Sequence, residues 1–111
     1  MNITEQKVGT VTVIEVVGRM DSANSPKLQD RASAILAETG SAVLLDLGKV
    51  EYISSAGFRT LLILARQSKE TKRPFVLCGL TPKVRQLFDL GGFLDLLPVA
   101  ATREEGIAAA Q

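Results

Sequence analysis

The sequence predicts an α/β fold with a mixed, mainly parallel β-sheet. The first observation is a pair of short β-rich segments, Ile3–Lys7 and Thr10–Val17, separated by Val8-Gly9, which indicates an antiparallel hairpin. The second is a continuous apolar strand over 42–47, which is typical of buried parallel strands. The third is that later strand segments alternate with amphipathic helical segments, as crossover connections require. The predicted order is ββαβαβαβα, with about four helices.

The second strand of the hairpin is apolar on both faces, because Val11 and Val13 alternate with Ile14 and Val16. We therefore expect this strand to be covered on both sides. A first helix follows, with Ser25 as its N-cap, Pro26 at its first helical position and apolar residues at helical spacing as far as Gly40.

The second helix is predicted to begin near Ser55. Its inward stripe is apolar and consists of Phe58, Leu61, Leu62 and Ala65. The remaining predicted elements are a strand over 74–79, a helix capped by Thr81 and ended by Gly91-Gly92, a strand over 96–99, and a last helix over 105–110 with Thr102 and Glu105 at capping-box spacing.

Length and charge restrict the class of protein. The 111 residues fit one domain, spanning 1–111, and the formal net charge is +1. The near-neutral balance argues against direct nucleic-acid binding through bulk charge.

The polar N-terminus lacks the apolar core of a signal peptide, and the longest apolar runs are too short to insert into a membrane. The single cysteine, Cys78, allows no internal disulfide, so we expect a cytoplasmic protein.

The chain contains no histidine. Without histidine and with one cysteine, the usual zinc sites and the Ser-His-Asp or Cys-His nucleophiles cannot be assembled. Carboxylate, lysine or tyrosine chemistry and a Mg²⁺ site stay open. We nevertheless expect a protein that is not an enzyme, with no metal and no cofactor.

The segment from Asp46 to Phe58 is the most informative part of the chain. The pattern predicts an apolar strand that ends at the carboxylate of Asp46, then a short loop, and then an apolar helix that begins with Ser54 and Ser55. The free backbone N–H groups of a helix start favour negative charge, so a phosphate would be accommodated there. A serine in this position is either a helix cap or a place where charge is added.

These motifs resemble those of the STAS domain of anti-sigma factor antagonists, and the resemblance covers essentially the whole chain. It depends on Gly18-Arg19-Met20-Asp21, on the pattern from Leu45-Asp46-Leu47 to Gly57, and on the run from Thr81-Pro82 to Gly91-Gly92-Phe93. The resemblance implies that Ser55 is phosphorylated, since it lies two residues before the motif glycine. Ser54 occupies a position where many members have aspartate. Of the two serines, Ser54 is the less favoured phosphorylation site and the more favoured helix cap.

The resemblance also implies the partners. An anti-sigma factor with Ser/Thr kinase activity would bind the unphosphorylated protein and phosphorylate it, and a PP2C-type phosphatase would reverse the change. We expect a monomer. The predicted partner-binding residues lie after strand two and at the start of the second helix: Asp21, Ser22, Asn24, Ser54, Ser55, Ala56, Gly57 and Arg59.

Several of these residues have a purely structural alternative. Asp21 is explained equally well as a turn or cap residue. Gly57 can serve only to allow close packing, and Arg59 can belong to a solvated helix face. Asp21 and Asp46 are expected to approach each other if both lie at the carboxyl edge of the sheet. Two other functions compete: a STAS subunit of a membrane transporter such as a lipid-trafficking ABC complex, and a nucleotide-binding module, although no P-loop is present.

Overall fold

A computed structural model describes residues 2–38 and 40–111 of the protein. Its sheet has five strands in the order β1-β2-β3-β4-β5, with β1 antiparallel to β2 and all other neighbours parallel. The strands are β1 (Asn2–Val8), β2 (Val11–Met20), β3 (Ala42–Ile53), β4 (Phe75–Cys78) and β5 (Val99–Ala100). The predicted α/β class and mixed sheet are confirmed.

The described residues form four α-helices. These are α1 (Ser25–Ala37), α2 (Ser55–Thr71), α3 (Pro82–Leu90) and α4 (Arg103–Ala110). The larger apolar cluster packs α1, α2 and α3 on one face of the sheet, and a smaller cluster packs α4 on the other. The alternate residues of β2 divide between the two clusters, so its predicted coverage on both sides is confirmed.

The predicted hairpin is present, with its turn one residue further along. Val8 pairs with Val11, so the turn residues are Gly9 and Thr10. Gly9 has φ +62°, a conformation that glycine adopts without steric cost.

The prediction that β3 ends at Asp46 is wrong, because the strand continues to Ile53. Irregularities in the pairing with β2 leave extra residues in β3 between Asp46 and Lys49 and again before Tyr52. Such bulges let a strand pass through a polar, glycine-containing segment without ending. The expected approach of Asp21 to Asp46 is wrong for the same reason, since Asp46 pairs with Glu15 and lies about 20 Å along the sheet from Asp21 at the usual rise of a strand.

Asp46 instead holds α4 against the sheet. Its Oδ2 accepts hydrogen bonds from Nη2 and Nε of Arg103 at 2.7 and 3.0 Å, and its Oδ1 accepts one from the Gly48 N–H at 2.9 Å. Glu15 also accepts from Arg103, at 3.0 Å. Hydrogen bonding to Asp46 is the main reason why the pKa of Arg103 is raised above its ordinary value.

Helix α1 begins one residue earlier than predicted. The N-cap is Asn24, whereas Ser25 is the first helical residue and is buried. The Ser25 N–H donates to the Asp21 carbonyl at 2.9 Å, four residues earlier, which is the bonding pattern of an α-helix and not that of an N-cap. The predicted extension of the helix to Gly40 is wrong for the described part, which ends at Ala37, and Thr39 lies outside the described residues.

The last strand also differs from its predicted position. After Gly92, at φ +73°, the chain forms a 3-10 turn over Phe93–Asp95, and Leu97 enters the core before β5 begins at Val99. The predicted caps of the two final helices are confirmed. Thr81 accepts from the Val84 N–H at 3.2 Å, and Thr102 accepts from the Glu105 N–H at 3.1 Å.

Candidate functional site: the β2–α1 loop and the first turn of α2

Two segments far apart in the sequence meet at the end of β2. Met20 pairs with Ile53 at the ends of two parallel strands, and the Ser54 N–H donates to the Met20 carbonyl at 2.8 Å. The loop over 21–24 and the first turn of α2 are therefore neighbours. The fold thus brings together the two groups of residues that the sequence singled out.

Ser54 is the N-cap of α2. Its Oγ accepts a hydrogen bond from the Gly57 N–H at 3.3 Å, which satisfies one of the free N–H groups of the first turn. Ser54 is half-buried, and its backbone is extended, with φ −81° and ψ 173°. The capping role predicted for Ser54 is confirmed.

Ser55 is the first residue of α2 and is exposed. Among residues 2–38 and 40–111, no side-chain hydrogen bond to its hydroxyl is found. The N-terminal end of the helix dipole makes this position favourable for added negative charge. The two serines therefore differ: the hydroxyl of Ser54 caps the helix, whereas Ser55 is exposed and has no side-chain hydrogen bond among the described residues.

The loop after β2 is held by side chains from its two ends. Asp21 Oδ1 accepts from the N–H groups of Ala23 and Asn24 at 3.0 and 3.2 Å. In return, Asn24 Oδ1 accepts from the Asp21 N–H at 3.0 Å, and its Nδ2 donates to the Arg19 carbonyl at 2.9 Å. This geometry supports the turn interpretation of Asp21, and it leaves Ser22 and Ala23 exposed at the tip of the loop.

Gly57 is buried where α2 touches β2. A Cβ at this position would lie 2.7 Å from Ile53 Cγ2 and 2.9 Å from the Met20 carbonyl oxygen. Because one of these neighbours is backbone, a larger residue would push the helix away from the strand. The close-packing alternative for Gly57 is supported, while Ala56 beside it is half-buried.

The next residues fix the helix on its other side. Phe58 stacks on Phe93, with ring centroids 4.4 Å apart and an angle of 6° between the rings, and meets Phe88 edge-on at 5.1 Å. Of the predicted inward stripe of α2, Phe58 and Leu61 are buried and Leu62 and Ala65 are half-buried. The prediction missed Leu64, which is fully buried.

Sequence reasoning also missed the contact of Phe93 with Phe58. The two residues are far apart in the chain, and the only local indication was the Gly91-Gly92 pair before Phe93. A Cβ on Gly91 would lie 2.3 Å from the Phe93 ring, so this glycine lets the ring fold back over α2. Arg59, one turn after Ser55, is exposed.

Within residues 2–38 and 40–111, no three side chains of His, Cys, Asp or Glu are grouped so that they could hold a metal ion. Nor does any helix in the described ranges have the length and apolar character needed to cross a bilayer.

The domain is of the STAS class, and the chain belongs to the STAS domain family, whose model matches residues 2–106. It is 38% identical over 109 residues to BtrV of Bordetella bronchiseptica, a protein assigned to the anti-sigma factor antagonists, and the match covers 98% of this chain and 94% of that one. The structure superposes on that of an anti-sigma factor antagonist from Mycobacterium paratuberculosis with a TM-score of 0.85 and 25% identity, over 98% of this chain and 92% of the other.

The Bacillus cell fate determinant SpoIIAA, solved in its phosphorylated form, has the same fold. Its TM-score is 0.75 at 18% identity, over 99% of this chain and 100% of that one. At this level of identity the likeness concerns the fold alone.

Proposed function

We propose that this protein is an anti-sigma factor antagonist controlled by phosphorylation of Ser55. The unmodified protein binds an anti-sigma factor with Ser/Thr kinase activity, and the phosphorylated protein is released from it. Membership of the STAS family and the extended similarity to BtrV support the antagonist role. We infer that the protein acts by binding and is not an enzyme.

One observation carries the choice of Ser55. It is the exposed first residue of α2, whereas the Oγ of Ser54 is used by the helix cap. A kinase acting on Ser54 would have to remove that cap, which is typically worth about 1 kcal/mol. A kinase acting on Ser55 meets a hydroxyl that no described side chain holds. The exposed tip of the neighbouring loop, Ser22 and Ala23, extends the same surface.

The phosphate acts on the partner and leaves the fold in place. It adds about −1.5 to −2 charges, and charge of this sign at a helix N-terminus stabilises the helix by roughly 0.3–1 kcal/mol. Release of the partner therefore comes from repulsion and loss of fit at the binding surface. A PP2C-type phosphatase restores the unmodified serine and with it the binding surface.

The test is calorimetric titration of the protein into a purified kinase-type anti-sigma factor from the same genome, without ATP. We expect Ser55→Ala to bind like the wild type and Ser55→Asp to bind at least tenfold more weakly. The matched control is Gln6→Glu, which adds one negative charge to the exposed edge strand β1, away from the site, and should leave binding unchanged. Equal binding of Ser55→Asp and wild type would contradict the proposal.

A further inference from the structure

The side chain placed to respond to a phosphate on Ser55 is Arg59. We propose that Arg59 has two mutually exclusive partners: a carboxylate of the bound anti-sigma factor while Ser55 is unmodified, and the phosphate of Ser55 after modification. This inference rests on the proposed function. It identifies the residue that converts phosphorylation into loss of an attractive contact.

The spacing on α2 brings the two side chains together. Ser55 and Arg59 are four residues apart in a continuous helix and are both exposed. Side chains at this separation are neighbours on one face, with Cβ atoms roughly 5–6 Å apart. An acidic group four residues before a basic one is also the favourable order along a helix. A phosphate on Ser55 is therefore within reach of the Arg59 guanidinium, which can donate two hydrogen bonds to it.

Arg59 has no competing acidic neighbour on its own helix. The positions three and four residues away are Ser55, Ala56, Leu62 and Ile63. No ion pair of Arg59 is found within residues 2–38 and 40–111. Arg66 on the same helix is the natural comparison, because it is paired with Glu70 at 3.4 Å.

Most other arginines of the described chain already have partners. Arg31 pairs with Glu5, Arg103 with Asp46 and Glu15, and the guanidinium of Arg19 lies 4.8 Å above the Tyr52 ring. Arg85 on α3 is the exception, since it is exposed and forms no ion pair within residues 2–38 and 40–111. What distinguishes Arg59 from Arg85 is its position, because Arg59 lies one turn after the exposed Ser55 on the same helix. An exposed cation of this kind fits an acidic group on a partner.

Phosphorylation would reverse the charge of this turn. Before modification, Arg59 contributes +1; afterwards, the phosphate and Arg59 together contribute about −0.5 to −1. The surface thus changes from attracting a carboxylate to repelling it. The first turn can carry this change without moving, since the Ser54 cap and the Phe58–Phe93 stack fix its position.

The experiment uses full-length protein with phosphoserine installed at position 55 by genetic-code expansion, so no kinase is needed. The ¹⁵N–¹H signals of the arginine side chains are compared with those of the unmodified protein. We expect the Arg59 Nε–H signal to move downfield and to exchange more slowly with water. The Arg66 signal should not change, since that side chain keeps its Glu70 partner. An unchanged Arg59 signal would overturn the inference.

A second measurement, of Tm, separates the contact between Arg59 and the phosphate from the general stabilisation of a helix by negative charge at its N-terminus. Phosphoserine at position 55 should raise Tm in the wild-type background, and R59Q should lose roughly 1–4 °C of that rise. An equal rise in both backgrounds would also overturn the inference. Neither measurement involves the kinase. The contact between Arg59 and the phosphate can therefore be detected even if the kinase does not modify Ser55, and it can be absent even if the kinase does.

Discussion

The rings of Phe58 and Phe93 lie 4.4 Å apart and almost parallel, and so join the first turn of α2 to the 3-10 turn that follows α3. Phe88 closes the group from the other side, with its centroid 6.4 Å from that of Phe93. Together with the hydrogen bond from Ser54 to Met20, this stack holds the candidate site on two sides.

Replacing Phe93 by alanine should destabilise the protein by about 1–3 kcal/mol, because it removes a half-buried ring and an aromatic pair. Urea unfolding measures the change. The control is Leu90→Ala on the preceding helix, where the side chain is 79% exposed and the expected change is within about 0.5 kcal/mol. Equal effects of the two substitutions would argue against a structural role of the stack.

Replacing Gly57 by alanine should cost about 1–3 kcal/mol, since the added methyl meets Ile53 and the Met20 backbone at less than 3 Å. The helix must shift, so partner binding should weaken as well. Chemical denaturation and titration with the partner measure the two effects. Ser55→Ala in the same turn is the control for stability, and we expect it to change the free energy of unfolding by less than about 0.5 kcal/mol. A Gly57→Ala protein as stable as the wild type would mean that the close approach is not required.

Placing a negative charge at position 55 should leave the fold unchanged. Ser55→Asp puts a carboxylate at the start of α2, where it interacts favourably with the helix dipole. The far-ultraviolet circular dichroism spectrum should match that of the wild type, and Tm should be equal or slightly higher. Loss of helical signal would show that the charge acts by melting α2, against the binding-surface mechanism.

The stability of the protein should fall between about pH 9 and pH 11 through Cys78. Burial, and to a lesser extent the carboxylate of Asp46, raises the pKa of this thiol from 9.0 to about 11. In this range the unfolded chain releases the thiol proton while the folded chain keeps it, so the contribution of Cys78 is complete below pH 9 and is lost as the pH rises toward 11.

The comparison with Cys78→Ala isolates this effect, because lysine and tyrosine titrations are common to both proteins. The free energy of unfolding of the wild type should fall more steeply with pH above 9 than that of the variant. Below pH 9 the two curves should run parallel. Curves that stay parallel up to pH 11 would show that the thiol does not titrate differently on folding.

Local patterns predicted the parts of the fold that local interactions determine. The hairpin, the strand–helix alternation and the caps at Ser54, Thr81 and Thr102 all depend on neighbours within a few residues. The length of β3 does not depend on such local neighbours, because the bulges of this strand are set by its pairing with β2. For that reason the local pattern puts Asp46 at a strand end, whereas in the structure it lies within β3 and binds Arg103 from the last helix.

The candidate site was predictable in its residues and less so in its geometry. Sequence motifs indicate both the serine pair and the loop after β2. Their junction through the Met20 carbonyl, and the packing of Phe93 on Phe58, depend on contacts between distant segments that no local pattern encodes. The division of roles between Ser54 and Ser55 required the hydrogen bond to Gly57.

Phosphorylation mapping is the decisive experiment for the role of Ser55. The protein is incubated with ATP and a kinase-type anti-sigma factor from its own genome, and its mass and the modified residue are determined by mass spectrometry. We expect one phosphate, on Ser55, that is retained in Ser54→Ala and absent from Ser55→Ala. No incorporation into the wild type, or undiminished incorporation into Ser55→Ala, would rule out Ser55 as the phosphorylation site.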